Sequence, residues 1–149
     1  WKPGRGVVGP LLPLLGTWEA TMDSKMGQFK CRRTFTRELG ANYVVLRASW
    51  LIPGKQYDEL AIFGTSAPGK LGFWSFTSDG KRSEGVRSEA SEIHPECLAF
   101  EAQMPAGLAR MLYWPADGEG FNWAVESRNK SGWKRFMLHR YEPAARGDA

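Results

Sequence analysis

Apolar and polar residues alternate with a period of two along most of the chain, in short runs broken by Gly, Pro, Asn and Asp. This pattern predicts strands over 17–22, 28–39, 43–52, 59–65, 71–77, 81–92, 97–103, 108–114, 121–128 and 133–141. In the second strand Phe29, Cys31, Arg33, Phe35 and Arg37 share one face, and Lys30, Arg32, Thr34 and Thr36 the other. The third is apolar on both faces apart from Arg47 and Ser49, and the fourth sets Leu60 and Ile62 opposite Ala61 and Phe63. The sixth is polar throughout, so it is expected at the surface or along a wet interior. Gly40-Ala41-Asn42, Pro53-Gly54, Pro68-Gly69-Lys70, Asp79-Gly80 and the run 117–120 supply the turns. No amphipathic helix of useful length appears. About ten strands joined by hairpins close most economically as an all-β, up-and-down antiparallel β-barrel, which removes sheet edges and leaves room for one small ligand.

The chain is organised around Pro13-Leu14-Leu15-Gly16-Thr17-Trp18-Glu19. The apolar run 11–15 is short and contains Pro13, so it predicts one short helical turn before the first strand. Gly16 lets the backbone turn, and Trp18 is large enough to close the end of a small barrel from inside. Residues 1–13, rich in Gly and Pro, are expected as an extended N-terminal arm, 14–143 as a single barrel domain and 144–149 as a disordered tail. The sequence opens at Trp1 without a Met and without a signal-like apolar core, as expected if a preceding segment was removed or the sequence was trimmed at that point.

Composition narrows the partners. Aromatics at 13%, with seven Trp and seventeen Gly, suit half-buried strands joined by tight turns. The net charge of +4 comes from 20 basic and 16 acidic residues mixed along the chain, which attracts anions mildly and is no nucleic-acid signature. No stretch approaches the roughly 20 apolar residues of a helical membrane span. Cys31 and Cys97 show no metal spacing and read as two buried free thiols ahead of a disulfide. The compartment is not fixed, with the cytoplasm slightly favoured, and either a monomer or a homodimer is compatible with the chain.

Leu15-Gly16-Thr17-Trp18 resembles the Gly-x-Trp opening of the lipocalin and fatty-acid-binding superfamily, the calycins. The remainder is similar to bacterial lipocalin-like domains in the neighbourhood of the nitrobindins and fatty-acid-binding proteins. The matching features are an Arg-rich second strand running into a Gly turn (Arg32-Arg33-Thr34-Phe35 to Leu39-Gly40), then Ile62-Phe63-Gly64 and Pro68-Gly69-Lys70-Leu71-Gly72-Phe73-Trp74. The likeness spans about 14–143. It implies a ligand-binding barrel whose opening Trp packs under a basic residue of the last strand, here Arg135 or Arg140 against Trp18.

Three sets of side chains carry candidate chemistry. If their faces turn inward, Arg33, Arg37 and Arg87 bring guanidinium groups into the cavity, where a carboxylate or phosphate ligand would neutralise them. Facing solvent instead, they would pair with Glu89, Glu101 or Glu126 across strands. Phe73, Met111, Tyr113, Trp123 and Met137, with Phe76, Phe121 and Trp133, line an apolar pocket or simply form the core. His139, expected on one face with Trp133, Met137 and Tyr141, is the haem-ligand candidate that the nitrobindin resemblance implies. Aligning the terminal Tyr141 sets it one position off that family's ligand, which would turn it to the opposite face. His94 is read as a surface residue. No nucleophile elbow, phosphate loop or zinc motif is present, so no intrinsic catalysis is expected. The expected function is binding or sequestration of a small hydrophobic or amphipathic molecule, anionic if the arginines face it, with no cofactor. The alternatives are a haem protein handling reactive nitrogen or oxygen species through His139, and a filled barrel with only a surface partner.

Overall fold

The computed structural model describes residues 1–25 and 27–144. The alternation resolves into ten strands: β1 (Gly16–Ser24), β2 (Gly27–Glu38), β3 (Tyr43–Ile52), β4 (Lys55–Ala67), β5 (Lys70–Thr77), β6 (Arg82–Ser88), β7 (Leu98–Met104), β8 (Gly107–Pro115), β9 (Phe121–Asn129) and β10 (Gly132–Pro143). Each pairs antiparallel with its neighbours in sequence, and β10 returns to β1 to close the barrel. This is the up-and-down all-β barrel that the pattern predicts, with one short 3-10 helix, Gly9–Leu14, ahead of β1. No helix among the described residues is long and apolar enough to cross a membrane.

Two joints in the barrel are short. β6 and β7 pair only through Val86↔Glu101, Arg87↔Phe100 and Ser88↔Ala99. Among the described residues β1 and β10 pair only through Trp18↔Pro143 and Glu19↔Glu142, with Ala144 N–H donating to the Thr17 carbonyl just beyond, at 3.0 Å. By contrast β1 and β2 are in register from Gly16↔Phe35 to Ser24↔Gly27.

The two ends of the barrel differ. The hairpins β1–β2, β3–β4, β5–β6, β7–β8 and β9–β10 all lie at one end, which we call the mouth. The other end is closed by residues 1–14, and here the expectation of an extended arm is corrected. Gly4 N–H donates to the Gly9 carbonyl at 2.9 Å, so the arm doubles back, and the 3-10 turn drives Val8, Leu11 and Leu14 into the core beside Phe35, Phe63 and Phe121. The amphipathic run 8–14 has more to bury than an extended arm would allow. Gly16, at φ 122°, supplies the left-handed turn from plug to strand.

Trp18 does cap this end, but not beneath an arginine. Its indole N–H donates to the Leu14 carbonyl at 2.7 Å and its ring meets Phe121 edge-on at 5.1 Å. Arg135 and Arg140 occupy positions of β10 that face outward. Arg135 bonds Glu126 and lies over Trp114, and Arg140 bonds the Asp117 carbonyl. The predicted sixth strand is likewise shorter than expected. After Ser88 the chain leaves the sheet and folds over the outer wall, where Ala90 is buried against Ala99, Leu112 and Ala124. Of the predicted tail only Ala144 falls among the described residues.

Leu11 is fully buried in the plug. Leu11→Ala should therefore destabilise the protein by about 2–5 kcal/mol. Urea unfolding followed by near-ultraviolet dichroism would show the loss; a change within error would mean that the arm does not seal the barrel.

Candidate functional site

The sizes of the inward-facing side chains change along the barrel axis. Towards the plug they are large: Phe35, Leu46, Phe63, Leu71, Tyr113, Phe121 and Tyr141, all buried. Towards the mouth many are small, including Ala48, Ala61, Ser75, Ser83, Ala102 and Ala109. A barrel of fixed radius filled by small residues is left hollow. The result is a cavity of about 310 Å³ that opens at the mouth. Trp50, Tyr57, Phe73, Phe100, Met111 and Trp123 are its large lining side chains, and Phe136, 60% exposed, stands at its rim. Glu59 also lines it, with Oε2 accepting a hydrogen bond from the Ser75 hydroxyl.

Beneath this cavity lies Arg33, fully buried. Its Nε–H donates to the Tyr141 hydroxyl oxygen at 3.1 Å, and an Nη1–H to that of Tyr113 at 3.0 Å. Each tyrosine passes its own proton on to sulfur, Tyr141 to Cys31 Sγ at 2.9 Å and Tyr113 to Met111 Sδ at 3.7 Å. The guanidinium also lies over Trp123 at 4.1 Å from the ring centroid, with Tyr141 at 5.5 Å and Trp50 at 5.6 Å. Among the described residues no carboxylate comes within ion-pair distance of it. Burial works against the charged form, yet the surrounding tyrosines, Glu59 and Cys31 more than offset it, so Arg33 stays protonated.

The three predicted arginines thus separate. All lie on inward positions of their strands, but at different heights. Arg33 is sealed under the cavity. Arg37 is exposed at the plugged end, donating from Nε to the Ala41 carbonyl at 3.0 Å. Arg87 is exposed at that same end, beside Trp1, Glu89 and Glu96. None of them makes the expected pairs with Glu89, Glu101 or Glu126. Glu126 instead takes Arg110 and Arg135 on the outer wall, and Arg110 also reaches Glu92 at 2.8 Å.

Of the apolar set, Phe73, Met111 and Trp123 line the cavity, and Tyr113 lies beneath it. Met137 packs against the core on the inward face without bordering the cavity. Phe76 is 45% exposed on the outside, and Phe121 belongs to the plugged end. Trp133 is a correction: it faces outward under Arg110 and Arg128, because a bulge between Arg135 and Met137 shifts the alternation of β10 by one residue. Beyond the bulge His139 faces inward, as its pairing with Trp123 requires, and not to the opposite side as the alignment of Tyr141 suggested. Its ring lies 5.3 Å from that of Trp123 and its Nδ1 is buried without a partner. Cys31 and Cys97 are both free, as expected. Burial pushes the Cys97 thiol up to about 11, so it is a poor nucleophile at neutral pH.

Sequence reasoning missed Trp50, Tyr57, Glu59, Phe100, Ala102 and Phe136 as cavity residues. The readable signal was the cluster of small residues at inward positions near one end of several strands, which marks where a barrel is hollow.

These features define a closed ten-strand antiparallel barrel with one plugged end and an open-mouthed aromatic cavity. The architecture is compatible with that of the calycins. No protein-family model matches the chain, and no curated protein matches it.

Two measurements probe the buried cluster. Arg33→Ala empties the aromatic cage and should cost about 3 kcal/mol or more in urea unfolding, whereas Arg33→Met, which keeps most of the volume, should cost distinctly less. The pH dependence has two signs. Burial, opposed by Arg33, holds Tyr113 and Tyr141 well above the ordinary tyrosine value. Their stabilisation is complete below the unfolded value near 10 and is lost as pH rises through the folded one, so stability should fall from about pH 9.5 upward. Tyr141→Phe should flatten that fall. His139 is depressed, first by burial and then by Arg33. Its contribution is present above about 6.5 and lost as pH drops, an acid limb that His139→Gln should reduce.

Proposed function

We propose that the protein reversibly binds a small, largely apolar molecule in the mouth cavity, without chemistry on it. One observation carries this reading: small inward residues near the mouth leave about 310 Å³ open among aromatic side chains in a barrel otherwise filled. That volume is at the small end of the roughly 300–1,000 Å³ typical of ligand sites, so a compact aromatic or short-chain ligand suits it better than a long lipid. Kinship with bacterial lipocalin-like binders is part of the same proposal, supported by the Leu15-Gly16-Thr17-Trp18 opening and the strand order.

A haem reading finds less support. An axial histidine needs a slot for a whole porphyrin against its free nitrogen. His139 is packed on Trp123 and does not border the mouth cavity. The residues present do not fit that group, and we derive no step through it.

Trp50 and Trp123 make intrinsic fluorescence a direct reporter of occupancy. Naphthalene should change it saturably. Indole, which emits in the same window and is followed by calorimetry, should also saturate, and Ala102→Trp, which fills the cavity, should weaken their binding at least tenfold while the dichroism spectrum is kept. Failure of both probes to saturate, or equal binding by the filled variant, would remove the cavity as the site.

A further inference from the structure

The charge inside the barrel points away from an anionic ligand. This inference rests on the cavity reading above and concerns which end group the cavity accepts. Arg33 has no exposed surface and does not border the cavity. Two of its N–H groups are committed to Tyr113 and Tyr141, and the Trp123 ring lies across it at 4.1 Å. A ligand carboxylate would therefore meet the far face of an indole, at roughly twice the contact distance from the guanidinium, where attraction has fallen in proportion.

The acid is placed differently. Glu59 lines the cavity directly, with Oε2 held by Ser75. Oε1 has no hydrogen-bond or ion-pair partner among the described residues. The other ionisable side chain of that wall, Arg110, is turned outward onto Glu126 and Glu92. Trp50 and Tyr57, 5.5 Å apart and edge to face, stand beside Glu59 at the mouth end of the same wall. An open carboxylate oxygen next to aromatic faces is the combination that receives an ammonium group. Exposed Lys25, Lys55, Lys81 and Lys130 sit at or next to the hairpin turns around the mouth. They are solvated and screened over about 8 Å, so they affect the approach of a charged ligand more than its bound state.

We propose that the polar end of the ligand is a hydrogen-bond donor, an amine before an alcohol, received by Glu59 Oε1, and that carboxylates of the same shape are disfavoured. Glu59 is thus the residue that sets specificity in the cavity.

The test compares 2-phenylethylamine, 2-phenylethanol and 3-phenylpropionate at neutral pH by tryptophan fluorescence, checked by calorimetry, on the wild type and on Glu59→Gln. The wild type should bind the amine about tenfold more tightly than the carboxylate, with the alcohol between them. Glu59→Gln should compress that spread to about threefold. A carboxylate bound as tightly as the amine, or an unchanged ranking in Glu59→Gln, overturns the proposal. If the variant does not fold, the wild-type ranking alone decides. If naphthalene binds and the amine gains nothing over it, this inference fails while the cavity reading stands; if neither binds, both fail.

Discussion

A positive charge enclosed at the centre of the barrel, with no acid in contact, is the constraint on which the interior depends. Desolvating a guanidinium is costly, and Arg33 recovers that cost from two tyrosine hydroxyls and a set of aromatic faces instead of from a salt bridge. A single desolvated contact of this kind is worth about 2 kcal/mol, and the cage supplies more than one. The hydroxyls accept from Arg33 and direct their own protons towards Cys31 and Met111, so residues from β2, β8 and β10 are held in one connected network. Trp123, locked over the guanidinium, becomes both the lid of that network and the floor of the cavity above it. The wall a ligand meets is thereby fixed by a charge that the ligand does not touch.

A second charged group works by different means on the outer wall. Arg110 and Glu126 are each almost fully buried there and bonded to one another, with Glu92 reaching in from the segment that follows β6. Together with Ala90, Ile93 and Cys97 packed on β7–β9, this fastens a long connection that has no strand partner of its own. Fixed geometry inside comes from aromatics around a charge with no acid in contact, and outside from an ion pair stacked on Trp133.

Much of this was legible from residue order. Period-two alternation placed all ten strands, and the inward register of Phe29, Cys31, Arg33 and Phe35 followed from it directly. Alternation says which wall a side chain faces and nothing about its height along the axis, which is why Arg37 and Arg87 share an inward register with Arg33 yet lie at the plugged end. It also assumes an unbroken pleat, and the bulge after Arg135 sent Trp133 outward while leaving His139 inside. The plug was obscured because Gly and Pro around residues 3–10 look like punctuation, whereas the hydrophobic residues they space apart fit the barrel end. Glu59 gave no signal: a glutamate near a strand start reads as a surface residue until its neighbours Ala48 and Ala61 are seen to leave space beside it.

The junction of β1 with β10 has a consequence for how the molecule comes together. Every other pair of adjacent strands is joined by its own local connection, so nine of the ten ladders form between neighbours in sequence at little cost in loop closure. The tenth joins the two ends of the domain through Trp18↔Pro143, Glu19↔Glu142 and one backbone bond beyond them among the described residues, with the bonds of Tyr141 to Arg33 and Cys31 spanning the same seam from inside. The fold is therefore a curled ribbon with a narrow clasp. Closing the sheet into a barrel spans the longest loop of the ten pairings, and the mouth-side stretches of β1 and β10 carry no ladder bonds to one another among the described residues.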